Sequence, residues 1–177
     1  VILFIHVDSR RIFITPATAH PTGEWVAQQA RNFLLHIQEQ GLELTHLVRD
    51  NDDKFQGGFD AALEASCAKI VRTAIKAPNM NAVCERAGQT LQNECLNKFL
   101  ILGEGHLNYL VQEFSTHYLE ERPHQGKGNV LLATANASLL PTATDTLQAA
   151  TDAISLSDVR CQKRLGGVLK HYYRRAA

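Results

Sequence analysis

The feature that most constrains this fold is a short apolar run ending in an acidic cluster, followed by a helix with one glutamate near its start. Residues 46–49 read as a strand, and Asp50 follows its last residue. Further along, residues 78–86 open a helix that carries Glu85 in its first turns. A carboxylate after a strand and another on a later helix can converge on one hard cation, which prefers oxygen ligands. The sequence therefore predicts a metal site made by Asp50 and Glu85.

The rest of the pattern alternates strands with helices. An opening apolar run is followed by a turn at residues 8–11 and by a second run that returns as an antiparallel strand. Thr22 is suited to cap a helix, and Gly41 is placed to end it. We expect strands at residues 1–7, 12–15, 44–49 and 69–72, and helices at residues 22–40, 59–65, 81–99 and 105–120. This order predicts an α/β fold.

The helix predicted at residues 81–99 has two different faces. Glu85, Gln89 and Gln92 share one face by the i, i+4, i+7 spacing. The other stripe is apolar and is predicted to be buried; it consists of Val83, Ala87, Leu91 and Cys95. Glu85 is therefore expected on the polar face.

Beyond residue 129 the periodicity weakens, and we expect three segments in the chain. Residues 1–129 form the main domain, residues 130–158 a linker or loosely ordered extension, and residues 159–177 a basic tail. The whole chain balances 18 basic against 18 acidic residues, but the tail contains no acid. Its basic residues, together with the neighbouring Tyr172 and Tyr173, suit the binding of a polyanion such as nucleic acid. Alternatively, the tail is merely solvated. The basic residues are Arg160, Lys163, Arg164, Lys170, Arg174 and Arg175.

Cysteine usage and hydropathy exclude several classes of protein. The four cysteines form no CxxC pair and do not combine with the eight histidines at zinc-finger spacings. They are too sparse for a secreted disulfide scaffold, which favours a reducing compartment. No apolar stretch is long enough to span a membrane. We therefore expect a cytoplasmic protein without a membrane partner.

Four motifs, in this order, resemble one known family. Asp50-Asn51 after a strand, and the Pro-Asn-x-Asn-Ala motif at residues 78–82 before Glu85, are similar to the second Asp and the Glu of the DDE integrase core. That core is the catalytic domain of retroviral-type integrases and of bacterial insertion-sequence transposases. Residues 118–126 and 164–173 are similar to later segments of the bacterial members. Any one motif is weak, but four in order are specific.

The resemblance implies a ribonuclease-H-like mixed sheet with flanking helices, plus a C-terminal extension. It implies Mg²⁺ or Mn²⁺, with two ions in the complete enzyme, and Asp50 and Glu85 as catalytic metal ligands. The implied function is DNA cleavage and strand transfer in DNA integration or recombination, carried out in a bacterial cytoplasm by a homo-oligomer. Lys54, Arg86 and Gln92 are candidate contacts to DNA phosphates, although the family usually has Lys where Gln92 stands.

The first catalytic Asp of this family raises a separate question. In ribonuclease-H-like folds it lies on the first of three antiparallel strands before the first helix. Only two strands are predicted before residue 22, so we expect the chain to begin at the second strand. The resemblance implies that Asp8 is a turn residue, while its assignment as the first catalytic Asp stays open. Because that Asp bridges the two ions in the family, we expect this fragment to be inactive or nearly so. The resemblance implies a parent protein that is a polynucleotidyl transferase.

Two other functions stay open. The chain is alternatively a non-catalytic ribonuclease-H-like remnant that binds DNA or a partner subunit. A third, less favoured function is a ribonuclease-H-like hydrolase with an RNA-containing substrate. Metal-dependent joining of DNA ends distinguishes the first function from both of these. Salt-sensitive DNA binding that does not need Asp50 favours the remnant.

Overall fold

The computed structural model describes residues 1–55, 57–73, 81–132 and 156–174 of the chain. These residues have a mixed α/β architecture. None of the described helices is both long and apolar enough to cross a membrane. In chain order the elements are β1 (Leu3–Ile5), β2 (Ile12–Ile14), α1 (Gly23–Glu39), β3 (His46–Arg49), α2 (Gly58–Glu64), β4 (Lys69–Arg72), α3 (Ala82–Glu94), α4 (Gly103–Thr116), β5 (Val159–Arg164) and β6 (Leu169–Arg174).

The predicted strands and helices of the first 120 residues are present, with small shifts at their ends. The bounds of β4 are those predicted. The Thr22 side chain caps α1 by accepting a hydrogen bond from the Trp25 N–H at 3.2 Å. Gly41 has a φ of +65°, a left-handed conformation that favours glycine just after a helix. Most of the motif before Glu85, most of the predicted linker, and Arg175 lie outside the described residues.

Helix α3 is shorter than predicted. It ends at Glu94, and a 3₁₀ turn at Leu96–Lys98 follows in place of its last predicted turn. Cys95 between them has a non-helical backbone with φ −126° and ψ −74°. Its side chain is fully buried, and its thiol points to the Leu110 carbonyl oxygen at 3.7 Å. Packing of Cys95 against α4 therefore accompanies the early end of the helix, which an amphipathic pattern alone does not reveal.

The chain forms two compact units. The first contains Val1–Ile5 and Phe13–Gln89, and the second contains His6–Ile12 and Thr90–Ala177. In the first unit β1 pairs with β2, and β3 pairs in parallel with β4, with α2 in the connection between them. In the second unit β5 and β6 pair as an antiparallel hairpin. The described strands thus form three two-stranded sheets.

The core of the first unit lies between α1, α2 and the strands. Its buried residues are Phe4, Val26, Ala30, Leu47, Phe59 and Leu63. The rings of Phe4 and Phe33 are stacked with centroids 4.0 Å apart. Helix α2 approaches α1 so closely at Gly58 that a Cβ added there would lie 3.1 Å from the Ala27 Cβ. A side chain at this position would therefore require Ala27 to shift by a few tenths of an ångström.

Strand β3 is covered on one face only. Leu47 and Arg49 are buried, and His46 and Val48 are exposed. The alternation puts the guanidinium of Arg49 on the side of the core. A charged group in that position needs a buried partner, and this partner organises the strand end that leads to Asp50.

The core of the second unit is formed by α4 and the segments around it. Its fully buried side chains include Leu110, Phe114 and Leu132. After Thr116 the helix widens into a single π-helical turn at His117–Glu121. Within this turn His117 Nδ1 and Glu121 Oε2 are 3.1 Å apart, and both side chains are buried.

Candidate metal and nucleic-acid site

Asp50 is exposed and directly follows β3. The ends of the two parallel strands are tied together at this point. The Thr73 N–H donates to the Arg49 carbonyl oxygen at 2.8 Å, and the Asn51 side-chain amide donates to the Thr73 carbonyl oxygen at 2.8 Å. Among the residues that the structure describes, the Asp50 carboxylate accepts one long hydrogen bond, of 3.4 Å from the Asp52 N–H. Its oxygens therefore have remaining capacity to accept bonds from a ligand or a cation.

Arg49 fixes the backbone next to Asp50. Its Nε and Nη2 donate to the two carboxylate oxygens of Asp60 on α2, at 2.9 and 2.6 Å. Its Nη1 donates to the carbonyl oxygen of Asp50 at 2.6 Å. Arg72 at the end of β4 adds a third bond to Asp60 at 3.1 Å. One buried carboxylate thus holds both strand ends, and a two-bond fork of this kind has a defined direction as well as strength.

The pKa of Asp60 reflects this network. Burial raises the pKa of the carboxyl, but the hydrogen bonds and positive charges of Arg49 and Arg72 outweigh burial and leave it below its ordinary value. Asp60 therefore stays ionised at neutral pH. The charge of Arg49, whose side chain is 5% exposed, is compensated.

Glu85 lies exposed in the first turn of α3. Negative charge is favourable at the start of a helix, where free N–H groups and the helix dipole point toward it. The Glu85 N–H donates to the Asn81 carbonyl oxygen at 3.0 Å. The neighbouring Cys84 thiol contacts the Leu3 carbonyl oxygen at 3.6 Å. The beginning of α3 is thereby fixed against β1, within the first unit.

The pKa of the Cys84 thiol depends on both candidate carboxylates. Burial raises its pKa, and the negative charges of Asp50 and then Glu85 raise it further. Electrostatic effects of this kind fall off with distance. The charges of Asp50, after β3, and of Glu85, in α3, thus both oppose ionisation of this thiol.

The two candidate carboxylates suit a hard cation but are few for a metal site. Two carboxylates supply the oxygen ligands that Mg²⁺ and Mn²⁺ prefer, and Mg²⁺ usually keeps several water ligands. Across residues 1–55, 57–73, 81–132 and 156–174, no group of three or more His, Cys, Asp or Glu side chains is arranged to hold a metal ion. The residues present thus match the chemistry of one or two ligand positions, not of a closed cage.

The three residues predicted to contact DNA lie on two elements, a 3₁₀ turn and helix α3. Lys54 is exposed in a 3₁₀ turn at Asp53–Phe55, just after Asp50. Arg86 is exposed beside Glu85 in the first unit. Gln92 is exposed near the end of α3, in the part of that helix that belongs to the second unit.

Asp8 lies in the turn between β1 and β2, as the resemblance implied. Its side chain is 92% exposed, and its carboxylate is 3.8 Å from the Lys127 ammonium. Both residues belong to the second unit. Such an exposed and long ion pair contributes little to stability.

The segment at residues 118–126, after α4, has a structural role in the second unit. Arg122 donates to both carboxylate oxygens of Glu94, at 2.9 and 2.7 Å. His124 is buried, with Nε2 2.8 Å from the Tyr118 carbonyl oxygen. Burial lowers the pKa of His124, which favours the neutral ring. These contacts give His124 a structural role in the loop.

Sequence reasoning missed two networks of ion pairs, of which the first positions Asp50. One joins Arg49, Asp60 and Arg72; the other joins Glu121 and Arg164 across 43 positions of sequence. A signal for the first existed, because the period-2 alternation of a strand puts Arg49 on the same side as Leu47. No local pattern points to the second, since its partners come from a helix end and from a segment expected to be a tail.

The comparisons with known proteins bear on the middle of the chain. Residues 66–130 match a family model described as an integrase core domain. No curated protein matches the chain. The matched stretch is somewhat over a third of the sequence and includes β4, α3 and α4. Glu85 lies inside it and Asp50 lies before it. Residues 66–130 are therefore similar to an integrase core domain, which supports the prediction of an integrase or transposase catalytic core.

Proposed function

We propose that the chain is part of an integrase or transposase catalytic core of the DDE type, in which Asp50 and Glu85 bind a divalent cation. The proposal is supported by the exposed positions of the two carboxylates, directly after β3 and in the first turn of α3, and by the match of residues 66–130 to an integrase core domain. Integrase cores usually use divalent metals, so Mg²⁺ or Mn²⁺ is the proposed cofactor. When bound, such an ion stabilises the charge that develops on the oxygens of a phosphodiester under attack.

The residues of this chain have separate proposed roles. Asp50 and Glu85 supply the oxygen ligands. The Arg49–Asp60 pair holds the backbone that carries Asp50. Lys54, Arg86 and Gln92 contact the DNA backbone and position it without reading its sequence. The fold we propose is ribonuclease-H-like, because the parallel β3–β4 pair joined by α2, the preceding hairpin and the later helix α3 follow the order of elements expected for it.

The proposed substrate is DNA, and the proposed reaction is cleavage and strand transfer in DNA integration or recombination, in a bacterial cytoplasm and by a homo-oligomer. With two carboxylates and no third member in any described cluster, turnover by this chain alone is expected to be absent or very low. The test is a joining and nicking assay with labelled DNA ends in Mg²⁺ or Mn²⁺. Robust turnover that Asp50→Ala abolishes would confirm the metal site but contradict the expected inactivity.

A remnant that binds DNA or a partner subunit without catalysis is the second candidate function. It is favoured by the absence, among the described residues, of any group of three or more side chains arranged to hold a metal ion. DNA binding that persists unchanged in EDTA and in Asp50→Ala, with no cation binding by the wild-type chain, would support the remnant and exclude the metal-dependent core.

A further inference from the structure

The C-terminal hairpin of β5 and β6 has one face fixed to the protein and one face turned away from it. Cross-strand pairing aligns Lys163 with Lys170 and Cys161 with Tyr172. Because side chains alternate between the faces of a strand, these residues and Arg174 share one face. The opposite face carries Gln162, Arg164 and Leu169.

The fixed face is anchored on the π-helical turn after α4. Arg164 donates to Glu121 from Nε and Nη2 at 2.9 and 2.7 Å, and from Nη1 to Glu113 at 3.1 Å. The Gln162 amide also donates to Glu121 at 2.9 Å, and Leu169 is buried. Glu113 and Glu121 therefore form their hydrogen bonds to the hairpin through its fixed face.

The outward face concentrates positive charge. Lys163, Lys170 and Arg174 are exposed, and within the residues that the structure describes no ion pair involves them. Lys163 stands directly opposite Lys170. Like charges directly opposite each other in a sheet are destabilising, so this pair is unfavourable unless an anion lies beside it.

An exposed aromatic ring lies between the cations. Tyr172 is 63% exposed and is flanked along β6 on the same face by Lys170 and Arg174. Surfaces that bind single-stranded nucleic acid combine cations that follow the phosphates with aromatic rings on which bases stack. We infer that the outward face of the hairpin binds single-stranded DNA, with Tyr172 stacked on a base and the three cations on the flanking phosphates. This binding needs neither Asp50 nor Glu85 and goes beyond the proposed function.

The opposite face provides matched controls. Arg160 is an exposed cation on β5, and Tyr173 is 44% exposed and stacked on His171 with centroids 5.6 Å apart. Both belong to the fixed face. Arg160→Ala therefore removes a positive charge, and Tyr173→Ala an aromatic ring, without changing the outward face. All these variants keep Arg164 and its anchoring bonds.

The experiment is fluorescence anisotropy of a labelled oligothymidine with the full chain, in EDTA and at several NaCl concentrations. We expect Lys163→Ala/Lys170→Ala to reduce the slope of log K against log salt by about 1.4, which is the value for two phosphate contacts on a single strand. We expect Tyr172→Ala to weaken binding at least about fivefold. Tyr172→Phe, Arg160→Ala and Tyr173→Ala should bind nearly as well as the wild type.

Three results would overturn the inference. The first is no binding of the oligonucleotide at low salt. The second is an equal loss from the outward-face and fixed-face variants. The third is tighter binding of duplex than of single strands with no effect of Tyr172→Ala, which would leave phosphate contacts without base stacking. Loss of cation binding in Asp50→Ala with unchanged oligonucleotide binding would test the proposed function separately.

Discussion

Arg49 and Asp60 form a buried two-bond ion pair directly beside the candidate metal ligand Asp50. The guanidinium donates to both carboxylate oxygens, at 2.9 and 2.6 Å, and its third donor bonds to the carbonyl oxygen of Asp50 at 2.6 Å. The side chain of Arg49 thus joins β3, α2 and the first residue after the strand. Asp50 can be exposed and still have a defined backbone position because the residue before it is buried and fixed.

The first prediction concerns this pair. Arg49→Met should lower the free energy of unfolding by about 3 kcal/mol, because it leaves the Asp60 carboxylate buried with only one remaining cation. Arg72→Met is the control, since its side chain is 57% exposed and its bond to Asp60 is longer, at 3.1 Å. It should cost less than about 1 kcal/mol. Urea unfolding measures both, and equal losses would show that the pair is not specially stabilised by burial.

The second prediction concerns acid stability. Burial raises the pKa of Asp60, but bonds from Arg49 and Arg72 lower it below its usual 3.8 overall. Burial likewise raises the pKa of Glu121, but Arg164 and His117 lower it below its usual 4.5 overall. A carboxyl with a lowered folded pKa contributes stability that is present above its unfolded pKa and lost as the pH falls through its folded pKa. The free energy of unfolding should therefore fall steadily below about pH 5.

Asp60→Asn provides the control for this pH dependence. The variant should be less stable at pH 7 but should lose less further stability between pH 5 and pH 3, because one of the two titrating carboxyls is gone. Burial also lowers the pKa of His124 from 6.5. Both proteins therefore lose the same additional stability from His124 as the pH falls below 6.5. Parallel stability curves for Asp60→Asn and the wild type below pH 5 would contradict the prediction.

The third prediction uses the Cys84 thiol as a reporter. Burial and the charges of Asp50 and Glu85 raise its pKa, so the reactive thiolate is scarce at neutral pH. A cation bound by the two carboxylates would offset their charge and lower the pKa of Cys84. Mg²⁺ should therefore accelerate alkylation of Cys84 by iodoacetamide, as followed by mass spectrometry.

Cys67 is the internal control for that experiment, because it is exposed and none of its described contacts involves the two carboxylates. Its alkylation rate should not depend on Mg²⁺. In Asp50→Asn the acceleration at Cys84 should disappear and the basal rate should rise, since one of the charges that oppose ionisation is gone. Equal Mg²⁺ effects on Cys67 and Cys84 would contradict the prediction.

The fourth prediction concerns the attachment of the C-terminal hairpin. Arg164→Met should remove three hydrogen bonds to Glu121 and Glu113 and leave the buried Glu121 with fewer donors. Amide hydrogens of β5 and β6 should then exchange faster, while those of α1 and α2 keep their rates. Lys163→Met, on the opposite face of the same strand, should leave hairpin exchange unchanged. Exchange that rises equally in both variants would show that Arg164 is not the anchor.

Much of the first unit could be predicted from the sequence because its signals are local. The cap at Thr22, the glycine at position 41 and the apolar run of β4 each act within a few residues. The resemblance located Glu85 in a stretch that the family match also covers. Local patterns alone fixed these elements, but they did not reveal which residues hold Asp50 in place.

The parts that escaped prediction depend on contacts between distant residues. The hairpin of β5 and β6 was expected only as a basic tail, because its strands are polar on both faces and lack an alternating apolar pattern. It is held by Arg164 reaching Glu121, and Gly166 and Gly167, both with positive φ, form its turn. The early end of α3 at Glu94 likewise depends on burial of Cys95 beside Leu110.

The central claim is that Asp50 and Glu85 bind the same divalent cation, and calorimetric titration with Mn²⁺ tests it most directly. The account predicts saturable binding that Asp50→Asn and Glu85→Gln each weaken at least about tenfold, equal to 1.4 kcal/mol. The double variant should bind Mn²⁺ about as weakly as either single variant, because the effects of losing two ligands of one ion are not additive. Glu64→Gln, an exposed carboxylate on α2, is the control and should bind as the wild type does. Wild-type binding that neither Asp50→Asn nor Glu85→Gln affects, or no Mn²⁺ binding at all, would contradict the account.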